Sequence, residues 1–248
     1  MERVPRRAAR EERWRQRAER ARDAFGLVLT LVLLTYILTS LLNNRGWTAV
    51  ILLAATSATS IVALTSSHST ATAVRRAIWV SVLTMLFGVI GAASGTHLWL
   101  NLASATQITL LAVAMGAVLR RVVTTAEVGS RTILGAISVY TVMGILFTFL
   151  YGTIDRIQNT PFFEGHPHPD GSDFIFFSYT TLTTTGYGDL VPGGQPGEMV
   201  AGLEMMIGQI FLVTLVAGLD SLWRPGEGLL KRRQRRGGEE PPAPGSAA

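Results

Sequence analysis

Apolar positions fall in long unbroken blocks along this 248-residue chain, and the charges are pushed to the block edges. Residues 77–119 contain no Asp, Glu, Lys or Arg, and residues 24–74 contain only Arg45. A water-soluble domain needs a charged surface, which these spans lack. Apolar runs of about 18 residues or more are long enough to cross a bilayer as helices. Six blocks are expected to do so, near Ala24–Leu42, Trp47–Leu64, Ala77–Ala92, His97–Leu119, Ile133–Tyr151 and Glu198–Leu219. The third is short, and its helix can begin a few residues earlier. A seventh apolar run, FIFFSYTTLTT from Phe174, is free of Gly and Pro but only about a dozen residues long. It predicts a helix that dips into the membrane without crossing it. Ser172 is the expected cap of that helix, with Asp173 in its first turn. The expected fold is therefore all-α and transmembrane, with six membrane helices and one re-entrant helix.

Charge turns this pattern into a topology. An even number of spans puts both termini on one side. All of the 22 Lys and Arg residues except Arg45 and Arg156 then share that side. Basic residues favour the cytoplasm, so both termini are expected there, in a multi-pass protein of the cell membrane. The net charge of +5 is read as basic ends that set orientation and touch anionic lipid, not as a nucleic-acid surface. Arg3, Arg6, Arg10, Arg13, Arg17 and Arg20 recur every three or four residues, as on a helix lying on the inner leaflet. The expected segments are a basic cytoplasmic segment 1–23, a four-helix domain 24–121, a domain 130–221 that holds the last two spans and the dipping helix, and a basic, then disordered, tail 222–248. There is no cysteine, so neither a disulfide nor a thiolate metal site is possible. The charged first 23 residues and the missing cleavage site argue for a retained first helix. Abundant Arg and Ala with a single Lys point to a bacterial source with GC-rich DNA.

Between the fifth and sixth blocks, residues 181–189 read TLTTTGYGD. Irregular backbone at membrane depth is tolerated only where protein buries it or water reaches it. Glycines there permit backbone angles that bring successive carbonyls to one side, which makes a cation ligand. One chain supplies one copy, and four copies around an axis would form rings of oxygens.

Thr184-Thr185-Gly186-Tyr187-Gly188-Asp189 resembles the selectivity filter of potassium channels. The resemblance runs over roughly residues 130–220 and includes FSYTTLTT (177–184), Pro192 and a sixth span with Gly208. It implies a homotetramer that conducts K+ passively. The backbone carbonyls of Thr184, Thr185, Gly186 and Tyr187 would bind the ion, the Thr184 hydroxyl would add the innermost ring, and Gly188 would turn the strand outward. Asp189 would brace the filter from behind. No cofactor is implied beyond K+ as permeant ion. The dipping helix would aim the negative end of its dipole at a central cavity.

The chain departs from the family pattern at several positions. Thr185 stands where many members carry Val. Thr180 stands where some carry a Glu that bonds the aspartate after the filter, so a weaker Thr180–Asp189 contact is expected. Phe176 and Phe177 replace Trp. Phe177 cannot bond the Tyr187 hydroxyl, which leaves Ser178 or Tyr179 as its partner. The fourth span carries none of the regularly spaced Arg residues that voltage sensing requires. The four leading helices are read as a scaffold, with Asn101 and Gln107 bonding between helices.

Glu204, inside the sixth span, faces either a cation cavity or a hydroxyl of the dipping helix, and its depth favours the second. Gly208 is either a gating hinge or a close-packing point, and Gly218 is a second hinge candidate. Ile210, Val213, Thr214 and Ala217 are the expected cavity lining. His166 and His168 are read as exposed loop residues. Asp155, Glu164, Asp170, Asp173 and Asp189 against Arg156 would concentrate cations at the mouth. No nucleophile–base pair or phosphate loop appears, so an enzyme is not expected. A transporter subunit and a non-conducting partner subunit stand as alternatives.

Overall fold

The computed structural model describes residues 25–42, 47–67, 69–124 and 130–222. The basic segment 1–23, Arg45 and the tail from residue 223 lie outside the described residues.

Seven helices form among the described residues. They are α1 (Phe25–Leu41), α2 (Trp47–Ser66), α3 (Ala71–Ser94), α4 (His97–Thr124), α5 (Ser130–Ile157), α6 (Gly171–Leu182) and α7 (Gln195–Leu222). Every expected block is helical. Five helices are long and apolar enough to cross a membrane, and α1 is apolar but has only 17 residues. At 1.5 Å per residue α1 spans about 26 Å, a little under the ~30 Å hydrocarbon layer.

The third block begins at Ala71, six residues earlier than expected. Thr70 has extended backbone, and its hydroxyl accepts from the Ala73 N–H at 3.3 Å, which fixes the start there. The helix therefore takes in Arg75 and Arg76, both exposed. It stops at Gly95, left-handed at φ 68, whose N–H returns to the Gly91 carbonyl.

Residues up to Phe211 form one compact unit, and those from Leu212 belong to a second. Within the first unit, α2 packs on α1, α3 and α4, and α4 packs on α3 and α5. Helix α5 also receives α1 and α6, and α1 reaches α6 as well. Small residues make these approaches close. The buried stripe of α3 is Ala77, Ser81, Thr84, Gly88 and Gly91. A Cβ at Gly88 would come within 2.7 Å of the tip of the Leu53 side chain, so the glycine lets the two helices approach without moving that leucine. Gln107 and Asn101 bond between helices as expected. Gln107 accepts from Ser57 of α2 at 3.0 Å, and Asn101 accepts from Arg156 of α5 at 2.9 Å.

Candidate functional site

The site is built at the C-terminal end of α6. Asp170, not Ser172, caps this helix. Its carboxylate accepts from the Ser172 and Asp173 N–H groups, while the Asp173 carboxylate accepts from the Asp170 N–H. This reciprocal box satisfies the first turn. The other end of the helix must satisfy its last four carbonyls, and the following loop does most of that work. The Tyr179 carbonyl takes the Thr183 N–H, and the Thr181 carbonyl takes the Thr184 N–H. The Thr180 carbonyl takes both the Thr185 N–H at 2.8 Å and the Gly186 N–H at 3.2 Å. The Leu182 carbonyl takes the Tyr140 hydroxyl of α5 at 3.1 Å. The negative end of α6 is thus spent on the loop as much as on any central cavity.

Those N–H bonds set the direction of the carbonyls. In a trans peptide unit N–H and C=O point opposite ways. With the N–H groups of 184, 185 and 186 turned back onto α6, the carbonyls of 183, 184 and 185 turn away from it. The backbone angles continue the pattern. Thr184, Gly186 and Gly188 have φ of 55°, 51° and 82°, with ordinary φ between them. Alternating left- and right-handed residues collect N–H groups on one side and carbonyls on the other. The two glycines adopt the left-handed region freely. Thr184 does so at a cost of roughly 1–2 kcal/mol. It is the only non-glycine with positive φ among the described residues, and no sequence pattern announces it. Residues 183–189 are all exposed in the single chain.

The expected support residues are placed as follows. The Thr180 hydroxyl donates to the Phe177 carbonyl of its own helix, and Asp189 accepts from the Leu190 N–H. The two side chains are not joined within the chain. Neither Ser178 nor Tyr179 reaches the Tyr187 hydroxyl. Ser178 points at Gly144 and Glu204, and Tyr179 donates to the Thr141 carbonyl at 2.6 Å. The Tyr187 ring instead stacks on Phe176 with 5.9 Å between centroids, and it remains 71 % exposed. Phe177 belongs to an aromatic cluster with Tyr151, Phe162 and Phe163. That cluster packs the segment before α6 against α5 and α6, and two backbone bonds join the same segment to the chain after residue 189. There the Glu164 N–H donates to the Val191 carbonyl and the Gly193 N–H to the Phe162 carbonyl.

Glu204 is fully buried within the chain. It accepts from the Ser178 hydroxyl of α6 at 2.6 Å and the Tyr151 hydroxyl of α5 at 2.5 Å. One carboxyl side chain therefore joins α7, α6 and α5. The hydroxyl of the dipping helix was the expected partner. Tyr151, the second one, was missed; the signal for it was a phenol inside an apolar span, where the O–H needs a bond. At Gly208 a Cβ would lie 2.7 Å from the Leu182 carbonyl oxygen. The glycine lets α7 touch the backbone at the end of α6. Gly218 lies in the second unit, and a Cβ there would meet no atom within 4 Å.

Sequence reasoning also missed Gln209. Its amide donates to the Thr184 hydroxyl at 3.0 Å, so an α7 side chain reaches the innermost residue of the loop. His166 bonds Asp173 at 3.0 Å and His168 is exposed. No cluster of metal-ligating side chains occurs among the described residues.

Residues 108–223 match the family model described as ion channel. The match runs from the second half of α4 past the end of α7. It takes in the whole of residues 130–220, where the potassium-channel resemblance was read, and it supports that family. No curated protein and no solved structure gave a match. The matched segment is similar to ion channel domains, and three of the five helices long and apolar enough to cross a membrane lie wholly or partly within it.

Proposed function

We propose that this segment is a potassium-selective pore, assembled from four identical chains and passing K+ passively. The observation that carries the proposal is the alternation of backbone hand at Thr184, Gly186 and Gly188. The N–H groups of Thr184, Thr185 and Gly186 are anchored to α6, which supports a ladder of carbonyls on the free side that in this reading runs from Thr184 to Tyr187. One ladder offers an ion too few oxygens to replace its water shell, whereas four ladders around an axis complete it. The assembly also accounts for the exposed apolar face of α7. Only a narrow stripe there, Gly197, Ala201, Glu204 and Gly208, is buried, while Met199, Leu203, Met206, Ile207 and Ile210 are exposed. A face that apolar needs lipid or other copies of the chain against it.

In this reading the six helical blocks all span, with both termini cytoplasmic. Gly208 and Gly218 stay candidates for the opening movement, and Asp189 acts at the outer mouth.

The test is flux into liposomes containing only the purified chain. Rubidium uptake driven by an internal potassium gradient, at least tenfold faster than sodium uptake, is expected. Cross-linking should stop at four copies. Equal sodium and rubidium uptake would overturn the selectivity. No uptake at all from a cross-linked tetramer would favour a non-conducting partner subunit.

A further inference from the structure

The last turn of α5 holds a cation where a membrane protein seldom places one. Arg156 is half-buried, and among the described residues it forms no ion pair. Its Nε donates to Asn101 at 2.9 Å, and its Nη2 donates to Ser104 at 2.6 Å and Thr153 at 3.3 Å. All three acceptors are neutral. A guanidinium carries five N–H donors, and the two on Nη1 have no acceptor among the described residues. Tying α4 to α5 explains Nε and Nη2, but it leaves Nη1 unused.

Arg156 borders a cavity of about 480 Å³. Its lining includes Arg156, Asp155, His97, His168 and Asp170, which lie at the start of α4, at the end of α5 and just before α6. Deeper in, the walls are Leu52, Leu53, Leu100, Ile145 and Phe149. From Arg156 to Ile145 the cavity follows α5 for three turns, about 16 Å at 1.5 Å per residue. Its shape is therefore long, apolar along its length and charged at one end. The charges at that end are of both signs. A bare anion would meet two carboxylates beside the one guanidinium. A molecule with an anionic and a cationic group and a tail fits all of them.

We propose that this cavity holds one phospholipid from the leaflet on the filter side. Its phosphodiester accepts from Nη1 of Arg156, and its primary ammonium is drawn by Asp155, with Asp170 adding to the negative potential. An acyl chain lies along α5. A quaternary ammonium has no N–H to donate to a carboxylate, so an ethanolamine headgroup is preferred to choline.

The purified full-length protein, stripped of lipid in detergent, is titrated by native mass spectrometry. The probes are phosphatidylethanolamine, phosphatidylcholine and phosphatidylglycerol of identical chains, and free phosphoethanolamine. One ethanolamine lipid per chain is expected, bound roughly tenfold more tightly than the other two, a difference of about 1.4 kcal/mol. Arg156→Gln should weaken it about ten- to a hundredfold, the range for hydrogen bonds to charged groups. Ala49→Trp, on the cavity wall, should block the lipid while leaving every Arg156 bond in place, and it decides the matter if Arg156→Gln fails to fold. Equal binding of the three lipids, wild-type affinity in either variant, or full competition by phosphoethanolamine without tails would each overturn the proposal.

Discussion

The two halves of this molecule bury polar groups in different ways. In α5 and α6 four hydroxyls reach across elements, beside others such as Thr141 and Thr148 that return to their own helix. Tyr140 goes to Leu182, Tyr179 to Thr141, and Tyr151 and Ser178 to Glu204. In α1 to α4 the hydroxyls mostly return to the preceding turn of their own helix. Thr39, Thr56, Ser60 and Ser81 each bond a carbonyl four residues back. A back-bonded hydroxyl is satisfied wherever its helix goes and so fixes nothing about its neighbours. A hydroxyl that bonds another element fixes distance and orientation together. The α5–α7 half therefore fixes its arrangement mainly through directed bonds, and the α1–α4 half, whose bonds between helices include Thr35–Thr59, Ser57–Gln107 and Thr84–Thr106, leans more on small residues and shape. In a pore of the proposed kind the loop must hold its oxygens in place and needs the first kind of support, whereas a scaffold needs only the second.

Glu204→Leu is the severest test of that contrast. It leaves the Tyr151 and Ser178 hydroxyls buried without their acceptor, at about 1–3 kcal/mol each. Thermal unfolding of the detergent-solubilised protein should show a large loss, together with loss of the proposed tetramer on size exclusion. Glu204→Gln keeps a carbonyl acceptor and should do less harm, with assembly affected more than conductance. A Glu204→Leu protein that melts like the wild type would show that the three-helix junction carries little of the fold.

Glycine substitutions compare the halves at equal chemistry. Gly208→Ala drives a methyl to 2.7 Å from the Leu182 backbone oxygen, and Gly88→Ala drives one to 2.7 Å from the tip of the Leu53 side chain. The backbone cannot swing aside, and the leucine can. We expect about 1–3 kcal/mol of destabilisation at Gly208, the usual cost of overpacking, and less than that at Gly88. Gly218→Ala has room for its methyl and should gain up to about 1 kcal/mol of helix stability. Reduced open probability in that variant, with stability intact, would mark Gly218 as the hinge. Equal losses at Gly208 and Gly88 would erase the distinction between a directed and a yielding contact.

Gln209→Leu acts on the loop without touching the core. Thr184 would lose the amide that orients its hydroxyl, an effect of about 0.5–1.5 kcal/mol. Bi-ionic reversal potentials should then report a potassium-to-sodium ratio reduced by roughly two- to twelvefold, with melting unchanged. An unaltered ratio would mean that the N–H anchors to α6 hold Thr184 unaided.

The same contrast explains what the sequence made legible. Long apolar blocks announced the six long helices, five of them long and apolar enough to cross a membrane, because hydropathy is a property of composition that needs no partner. TTTGYGD announced the loop, since glycine at alternate positions is a backbone requirement written directly in the letters. Depth along the sixth block was enough to place Glu204 beside a hydroxyl of the dipping helix. Tyr151, Tyr140, Gln209 and Arg156 were not legible as partners. Each bonds a group between 25 and 55 residues away in the chain, and helix periodicity says nothing about which helix a face will meet. Thr184 at φ 55 was hidden for a different reason. Threonine is a poor choice for that backbone, so the letters give no sign of it.

Gln107 offers the smallest effect and the sharpest discrimination. It is fully buried in the four-helix half, and its Nε2 is the one buried side-chain polar atom without a partner among the described residues. Its Oε1 accepts from Ser57, so the residue combines one directed bond with one unmet donor. Leucine in its place would abolish both. The net worth of an ordinary hydrogen bond is about 0.5–1.5 kcal/mol, and an unsatisfied buried donor costs about 1–3 kcal/mol. The two terms oppose each other, and the freed Ser57 hydroxyl can turn to a carbonyl of its own helix as its neighbours do. Gln107→Leu should therefore melt within about 1 kcal/mol of the wild type, measured beside Glu204→Leu under the same conditions. A loss as large as that at Glu204 would mean that the four-helix half, too, is held by a directed polar bond. Ser57→Ala paired with Gln107→Leu in a double-mutant cycle would then measure that bond directly.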